Sequence, residues 1–198
     1  NVVDPFSILF EMGSFDMTFD RWLDSEKNRQ AQKTLSNHIG LFHQNILGSM
    51  KGWSSLGIGR MVDIVCDEHK IIAEIKNKHN TLKASDRSSM YFKLEDLVMR
   101  KGHTYKDYTA YYVEIVPKKP ARYNEPFTPS DNRTGARCPI NPLIRQIDGY
   151  SFYALATGVQ DALYSLFSVL PQVIAKVKPN CTVLETATIE NFFKKTYL

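Results

Sequence analysis

The chain has 198 residues, with 25 Lys plus Arg against 21 Asp plus Glu and a formal net charge of +4. That length suits one domain, or one domain with an appendage, and is enough to bury a substantial core. Three cysteines (Cys66, Cys138 and Cys181) with no CxxC pair exclude a disulfide scaffold and fit a reducing compartment. No apolar run reaches membrane-spanning length and no signal peptide is visible. The mild cationic excess permits a polyanionic partner without demanding one. Because the chain opens on Asn rather than Met, its natural N-terminus is expected to lie further upstream.

In chain order, Asp4-Pro5 predicts a short first helix over Phe6 to Met12, with Pro5 at its first position. Helical spacing of Trp22, Leu23, Leu35, Ile39, Phe42, Ile46 and Leu47 predicts a long helix over 18–47. Glycines punctuate a loop over 48–59. Two strands follow, Met61 to Cys66 and Lys70 to Asn77, joined by a turn at Asp67-Glu68-His69. Residues 81–89 read as a polar loop or helix start, and Tyr91 to Arg100 as helix. Tyr108 to Val116 is rich in β-formers and reads as a strand. Residues 117–145 hold Pro, Asn and Arg with little periodicity, as in a functional loop. Phe152 to Ala156 reads as strand or helix lead-in. A helix from Val159 is expected to end near Pro171, followed by a short helix through Val177 and a last one over Ile189 to Thr196 capped by Thr188. This order gives a mixed α/β domain with helices packed on a central sheet.

The chemistry lies in the two apolar strands. Period-two alternation puts Glu74 and Lys76 on one face of the second. Asp63 sits in the first, and a turn centred between Glu68 and His69 would set it opposite Glu74. Two adjacent buried carboxylates repel unless a cation joins them. Mg²⁺ takes one or two carboxylates and leaves room for water and phosphate oxygens. Lys76 could then stabilise a phosphoryl transition state or the attacking water. The bland alternative is a solvated face with an ordinary Glu–Lys pair, which explains most isolated ExK triplets. Here both strands are apolar and Lys78-His79-Asn80-Thr81 follows, which favours phosphodiester hydrolysis. Cys66-x-x-His69 with Cys138 has no zinc-site spacing. No nucleophile elbow or phosphate loop is visible.

Asp63…Glu74-Ile75-Lys76 resembles the core of the PD-(D/E)XK nuclease superfamily, with Val62 in place of the family's proline. The stretches FHQNILGSMKGW, IIAEIKNKHNT, YYVEIVPK, FTPSDN and IDGYSFYALATG, spanning residues 42–158, are similar to type II restriction endonucleases of the group that cuts GGNCC. The resemblance implies a restriction-endonuclease-like α/β core, a mixed central sheet flanked by helices. It implies one nuclease domain over 1–198: a helical part to residue 50, a catalytic core over 60–116, recognition loops over 117–150 and a helical end over 151–198. It also implies that Asp63 and Glu74 ligate Mg²⁺ with the Ile75 carbonyl, and that Lys76 positions the attacking water. Glu26 and Gln44 are candidates for a supporting helix residue. Expected products are 5′-phosphate and 3′-hydroxyl ends.

Double-stranded DNA is the expected partner, read by Lys78, His79, Asn80, Thr81 and Lys83 after the active-site strand and by Asn132, Arg133, Arg137 and Arg145 in the long loop. For each of these, a phosphate contact or a solvated loop charge is the plainer role. A near-palindromic site calls for a homodimer, with helices after Val159 as candidate interface. A bacterial cytoplasmic setting and a cognate DNA methyltransferase follow from the resemblance. The rival readings are a structure-selective repair nuclease with the same core, a non-catalytic DNA-binding protein, and a small-molecule hydrolase or interaction domain.

Overall fold

The computed structural model describes residues 3–57, 59–131, 133–179 and 186–197. Contacts divide the chain into two units, Asn1–Leu41 and Phe42–Leu198. In the first, helix α1 (Pro5–Phe15) begins as the sequence predicts, with Pro5 at its start and the Asp4 carboxylate accepting from Phe6 N at 2.9 Å. The helix runs three residues past the expected end, to a left-handed Asp16 at φ 50°. Helix α2 (Phe19–Gly48) matches its predicted span. Trp22 is buried and its indole N–H donates to Glu11 at 3.0 Å, whereas Leu35 and Ile39 are exposed despite their helical spacing.

The second unit is α/β, built on a six-stranded sheet of order β1-β2-β3-β4-β6-β5. The strands are β1 (Ser54–Ser55), β2 (Ile64–Cys66), β3 (Ile71–Lys78), β4 (Thr109–Val116), β5 (Asn124–Pro126) and β6 (Ile144–Asp148). β2 and β3 form the predicted antiparallel hairpin, while β3, β4 and β6 run parallel. This mixed sheet flanked by helices is the architecture expected of a restriction-endonuclease-like core. Helix α3 (Ala84–Met99) carries the chain from β3 to β4.

Alternation along the strands sorts side chains into two clusters. One face holds Ala73, Ile75, Tyr111, Val113 and Ile147, packed against Leu47, Phe152, Leu163 and Phe193. The other holds Val65, Ile72, Ala110, Tyr112 and Ile144 with Tyr91, Leu94 and Val98 of α3. Cys66 belongs to the first cluster and Cys138 to the second, so the sheet separates them and no zinc site joins them. Cys181 and its neighbours lie outside the described residues.

Several expectations need correction. Met61 and Asp63 precede β2 rather than lying in it, because the strand starts at Ile64. The predicted loop over 48–59 contains the two-residue strand β1. The long segment expected to be irregular contains β5 and the first part of β6, which lies inside the sheet next to β4. Five residues with Arg145 and Gln146 between Ile144 and Ile147 give too short an apolar pattern to announce a strand. Of the two readings of Phe152 to Ala156, strand or helix lead-in, the helical one holds: the segment lies within α4 (Gly149–Thr157). Pro171 does not end its helix: α5 runs Ala162–Val177 straight through it. Proline removes one donor there, and Leu163, buried in the core, with the Phe167 ring packed against Phe193 at 4.6 Å between centroids, anchors the preceding turns. α6 spans Thr186–Tyr197, so Thr188 lies within it rather than capping it.

Candidate active site

The hairpin register is Ile64↔Ala73, Val65↔Ile72 and Cys66↔Ile71. Extending it one step places Asp63 opposite Glu74, as the turn position implied. Asp63 N donates to Ala73 O at 2.9 Å, which holds the residue against β3 although the strand has not yet begun. Its carboxylate folds back to accept from Ile75 N at 2.7 Å. The Gln44 side chain lies beside the same carboxylate and favours its charged form. Of the two helix candidates, Gln44 thus touches the site, while the Glu26 carboxylate is held by Arg29 at 2.6 Å and by Gln30 at 2.7 Å. On β3, Lys76 Nζ donates to Glu74 Oε1 at 2.5 Å. The Glu74 side chain is 9% exposed and that of Lys76 20%. The strand alternation read from the sequence therefore puts Asp63, Glu74 and Lys76 together.

Burial pushes the Asp63 carboxyl above its ordinary value, opposed by the Ile75 amide, Lys76 and Gln44. Glu74 is pushed up by burial and then by the charge of Asp63, with Lys76 and Lys93 opposing. Such a pair suits a divalent cation, which would relieve both penalties. Among the described residues no three His, Cys, Asp or Glu side chains cluster as a metal cage. Two carboxylates leave most positions to oxygen from water, backbone or phosphate, which fits Mg²⁺ rather than structural zinc. The Ile75 carbonyl points to the same sheet edge as its N–H, toward the side where β2 has already ended.

This electrostatics has a testable consequence. Below the raised folded values but above the ordinary carboxylate range, the folded protein binds more protons than the unfolded chain. Stability of the metal-free protein therefore falls as pH rises through that window. Glu74→Gln is expected to melt a few degrees higher than wild type at neutral pH without metal. The difference should close as pH falls into the carboxylate range. Thermal melts across pH check this; a lower melting point at neutral pH would mean that the Lys76 contact outweighs the burial of charge.

The other sequence-chosen residues are dispersed. Lys78 ends β3 and is exposed, and its backbone N–H and C=O both bond the Thr81 hydroxyl, which therefore closes the turn. His79 N donates to Val116 O at 3.0 Å, while its Nδ1 is buried without a partner. Asn80 is exposed, as is Lys83, the N-cap of α3. Asn132 lies outside the described residues. Arg133 bonds Asp131 at 3.2 Å and lies over the Phe92 ring at 4.8 Å. Arg137 pairs across a bridge with Ser130 and lines an open cleft of about 480 Å³ with Arg87, Glu125, Ile140 and Gln146. Arg145 is a correction. It lies in β6 rather than a loop, beside Tyr111 and thus on the sheet face opposite Glu74, and its guanidinium bonds Asn124 Oδ1 at 2.6 Å. The imidazole of His43 contacts Tyr153 Oη at 2.8 Å, and burial lowers its pKa to about 4, so it is a neutral packed residue.

The sequence reading missed a buried polar group beside the triad. Register places Glu114 of β4 next to Lys76, and Tyr112 next to Glu74. Glu114 is 5% exposed and bonds Arg87 at 2.5 Å and Tyr123 Oη at 2.6 Å. The signal was available: Glu114 sits in the apolar run Tyr111-Tyr112-Val113-Glu114-Ile115, the same kind of context that marked Glu74.

Residues 1–178 match the model of the Eco47II restriction endonuclease family. The type II restriction enzyme Eco47II of Escherichia coli is 52% identical over 174 residues, covering 88% of this chain and 72% of that protein. The type II restriction enzyme Sau96I of Staphylococcus aureus is 32% identical over 174 residues, covering 86% of this chain and 65% of that protein. No solved structure matches. With both the family match and the identity spanning most of its length, the chain belongs to the Eco47II restriction endonuclease family, a family of type II restriction enzymes.

Proposed function

We propose that this chain is a Mg²⁺-dependent endonuclease that cuts duplex DNA at a short near-palindromic site of the GGNCC type, through a PD-(D/E)XK site at Asp63, Glu74 and Lys76. The observation that carries this reading is the convergence of those three side chains at the open end of the β2–β3 hairpin, with Lys76 Nζ 2.5 Å from Glu74. Asp63 and Glu74, with the Ile75 carbonyl, would hold the cation, and Gln44 and the Ile75 amide orient the Asp63 carboxylate. The cation, when bound, supplies charge neutralisation at the scissile phosphate. Lys76 orients the attacking water and stabilises negative charge building on the phosphoryl oxygens. In-line attack on phosphorus expels O3′ and leaves 5′-phosphate and 3′-hydroxyl ends.

This triad carries no sequence information, so readout belongs to other groups. Lys78, His79, Asn80 and Lys83 leave the catalytic strand, and Arg133 and Arg137 lie in the 127–143 segment, where Arg137 lines the open cleft. Asn132 belongs to the same proposal by sequence position. Thr81 is occupied by its turn and Arg145 by Asn124, so both serve better as scaffold. A homodimer is favoured by the two-fold symmetry of such a site, and exposed Val169, Val173 and Ile174 on α5 offer an apolar surface for it. A methyltransferase protecting the same site in the bacterial cytoplasm completes the proposal.

One digestion tests it. Plasmid DNA incubated with the protein and Mg²⁺, then end-sequenced, should give discrete fragments whose ends all fall at one GGNCC-like sequence and carry 5′-phosphates. Cleavage confined to flaps or junctions would instead support a structure-selective nuclease, and no cleavage at any salt would sink the enzyme assignment.

A further inference from the structure

We infer that Arg87 is a positioning residue for the catalytic lysine: it saturates the buried carboxylate of Glu114 and so keeps Lys76 on Glu74. The inference rests on the reading of Lys76 given above. The parallel register of β3 and β4 is what creates the need. It places Glu114 beside Lys76 on the same sheet face, one strand spacing of about 4.8 Å away. Lys76 therefore has two carboxylates within reach, Glu74 on its own strand and Glu114 on the next. Only a lysine on Glu74 sits at the end of the hairpin with Asp63.

The competition is resolved by Arg87, at the start of α3. Its NH1 bonds Glu114 Oε1 at 2.5 Å, and Tyr123 Oη donates to Glu114 Oε2 at 2.6 Å. Each oxygen of Glu114 thus already accepts a bond and its charge is paired with Arg87, while Lys76 bonds Glu74. Arg87 is itself fixed from four directions. Its NH2 bonds Gln146 Oε1 at 3.2 Å, NH1 reaches His79 O at 3.4 Å, and the guanidinium lies 5.1 Å from the Tyr112 ring centroid and 5.4 Å from that of Phe127. Those two rings stack on each other at 4.7 Å. The side chain is only 24% exposed. A guanidinium aimed inward at a carboxylate and packed beside two stacked rings is built to hold that carboxylate. A free phosphate-binding arginine would instead extend into solvent.

Without Arg87, Glu114 would remain buried with one hydroxyl for a partner, and the ammonium that the register sets beside it is that of Lys76. Lys76 would turn to Glu114 and leave the reacting phosphate. Displacing a catalytic group by about 1 Å can cost ~100-fold in rate.

The test is a rescue. Single-turnover cleavage is measured with Mg²⁺ on a duplex carrying the site that wild type cuts, and affinity for the same duplex with Ca²⁺ in place of Mg²⁺. Arg87→Met is expected to cut about a hundredfold more slowly at unchanged affinity. Adding Glu114→Gln removes the competing charge and is expected to recover at least about tenfold of the rate. A double variant no faster than Arg87→Met overturns the inference. So does an Arg87→Met whose affinity falls in step with its rate, which is the signature of a DNA contact. Should Arg87→Met fail to fold, Arg87→Lys and the double variant decide, since neither leaves a bare buried carboxylate. Both cutting within about tenfold of wild type supports the inference, and either one silent with specific binding intact overturns it. Lys76→Ala in the same series separates the two levels. If it is silent and rescue fails, only the positioning role falls; if it cuts like wild type, the catalytic reading falls with it.

Discussion

Lys76→Ala is expected to lower the single-turnover cleavage rate by about a thousandfold or more, with affinity for the specific site retained. The reason is charge placement. Lys76 bonds Glu74, in a setting where burial makes each charge count for more than it would in water. DNA affinity is spread over many phosphate contacts, so one lysine lost from the floor of the site changes it little. Asp63→Ala should reach a similar loss by another route. It removes a carboxylate held by Ile75 N at 2.7 Å, and with it half of the anionic ligands proposed for the cation. The two variants should differ in stability. Asp63→Ala relieves the repulsion that raises Glu74, whereas Lys76→Ala removes one of its two stabilising cations. Cleavage assays with Mg²⁺ and binding assays with Ca²⁺ measure both quantities. Undiminished cutting by either variant would remove this triad from the mechanism.

Gly149→Ala is expected to be the most damaging small substitution in the sheet unit, costing about 3 kcal/mol of stability. A Cβ there would lie 2.5 Å from Ile115 O and 2.6 Å from Ile115 Cα. Both are backbone atoms of a central strand and have no rotamer by which to yield. The chain cannot move away either. Just before Gly149, the buried Asp148 carboxylate accepts from Ser151 N at 2.9 Å, capping α4, and from Tyr123 N at 2.8 Å. The turn from β6 into α4 is therefore pinned on both sides of the glycine. Thermal melts should fall by about 2–4 °C per kcal/mol. Gly13→Ala, where nothing lies within 4 Å of the added carbon, is the control and should lose no stability. An unchanged melting point for Gly149→Ala would mean that β4 and α4 can separate at this crossing.

Much of the proposed catalytic constellation was legible because it is local. Residues 61–78 form one hairpin, and a hairpin's turn fixes its register. Placing the turn at Glu68 and His69 set Asp63 against Glu74, and alternation set Lys76 beside Glu74. The start of α1 at Asp4-Pro5 and the span of α2 followed from equally local rules of capping and periodicity. Where the pattern was short or interrupted, the reading failed. Arg145 and Gln146 break the apolar run of β6, so its pattern does not announce a strand, and Pro171 looks like a stop in α5 because it lacks one donor.

The sequence by itself determined the two elements that carry the triad, the spacing of the triad within them and the family to which the chain belongs. The tertiary structure alone decided which strands are neighbours. Insertion of β6 between β4 and β5 put Gln146 next to Tyr112 and sent Arg145 to the opposite face. Parallel pairing of β3 with β4 put Glu114 beside Lys76, and α3 then had to deliver Arg87 to it from 27 residues away in the chain. The physical reason is that side-chain periodicity states which face of a strand is buried but not which strand lies alongside it. Partner choice depends on the crossover connection and on the packing of the whole sheet, and no window of sequence contains either.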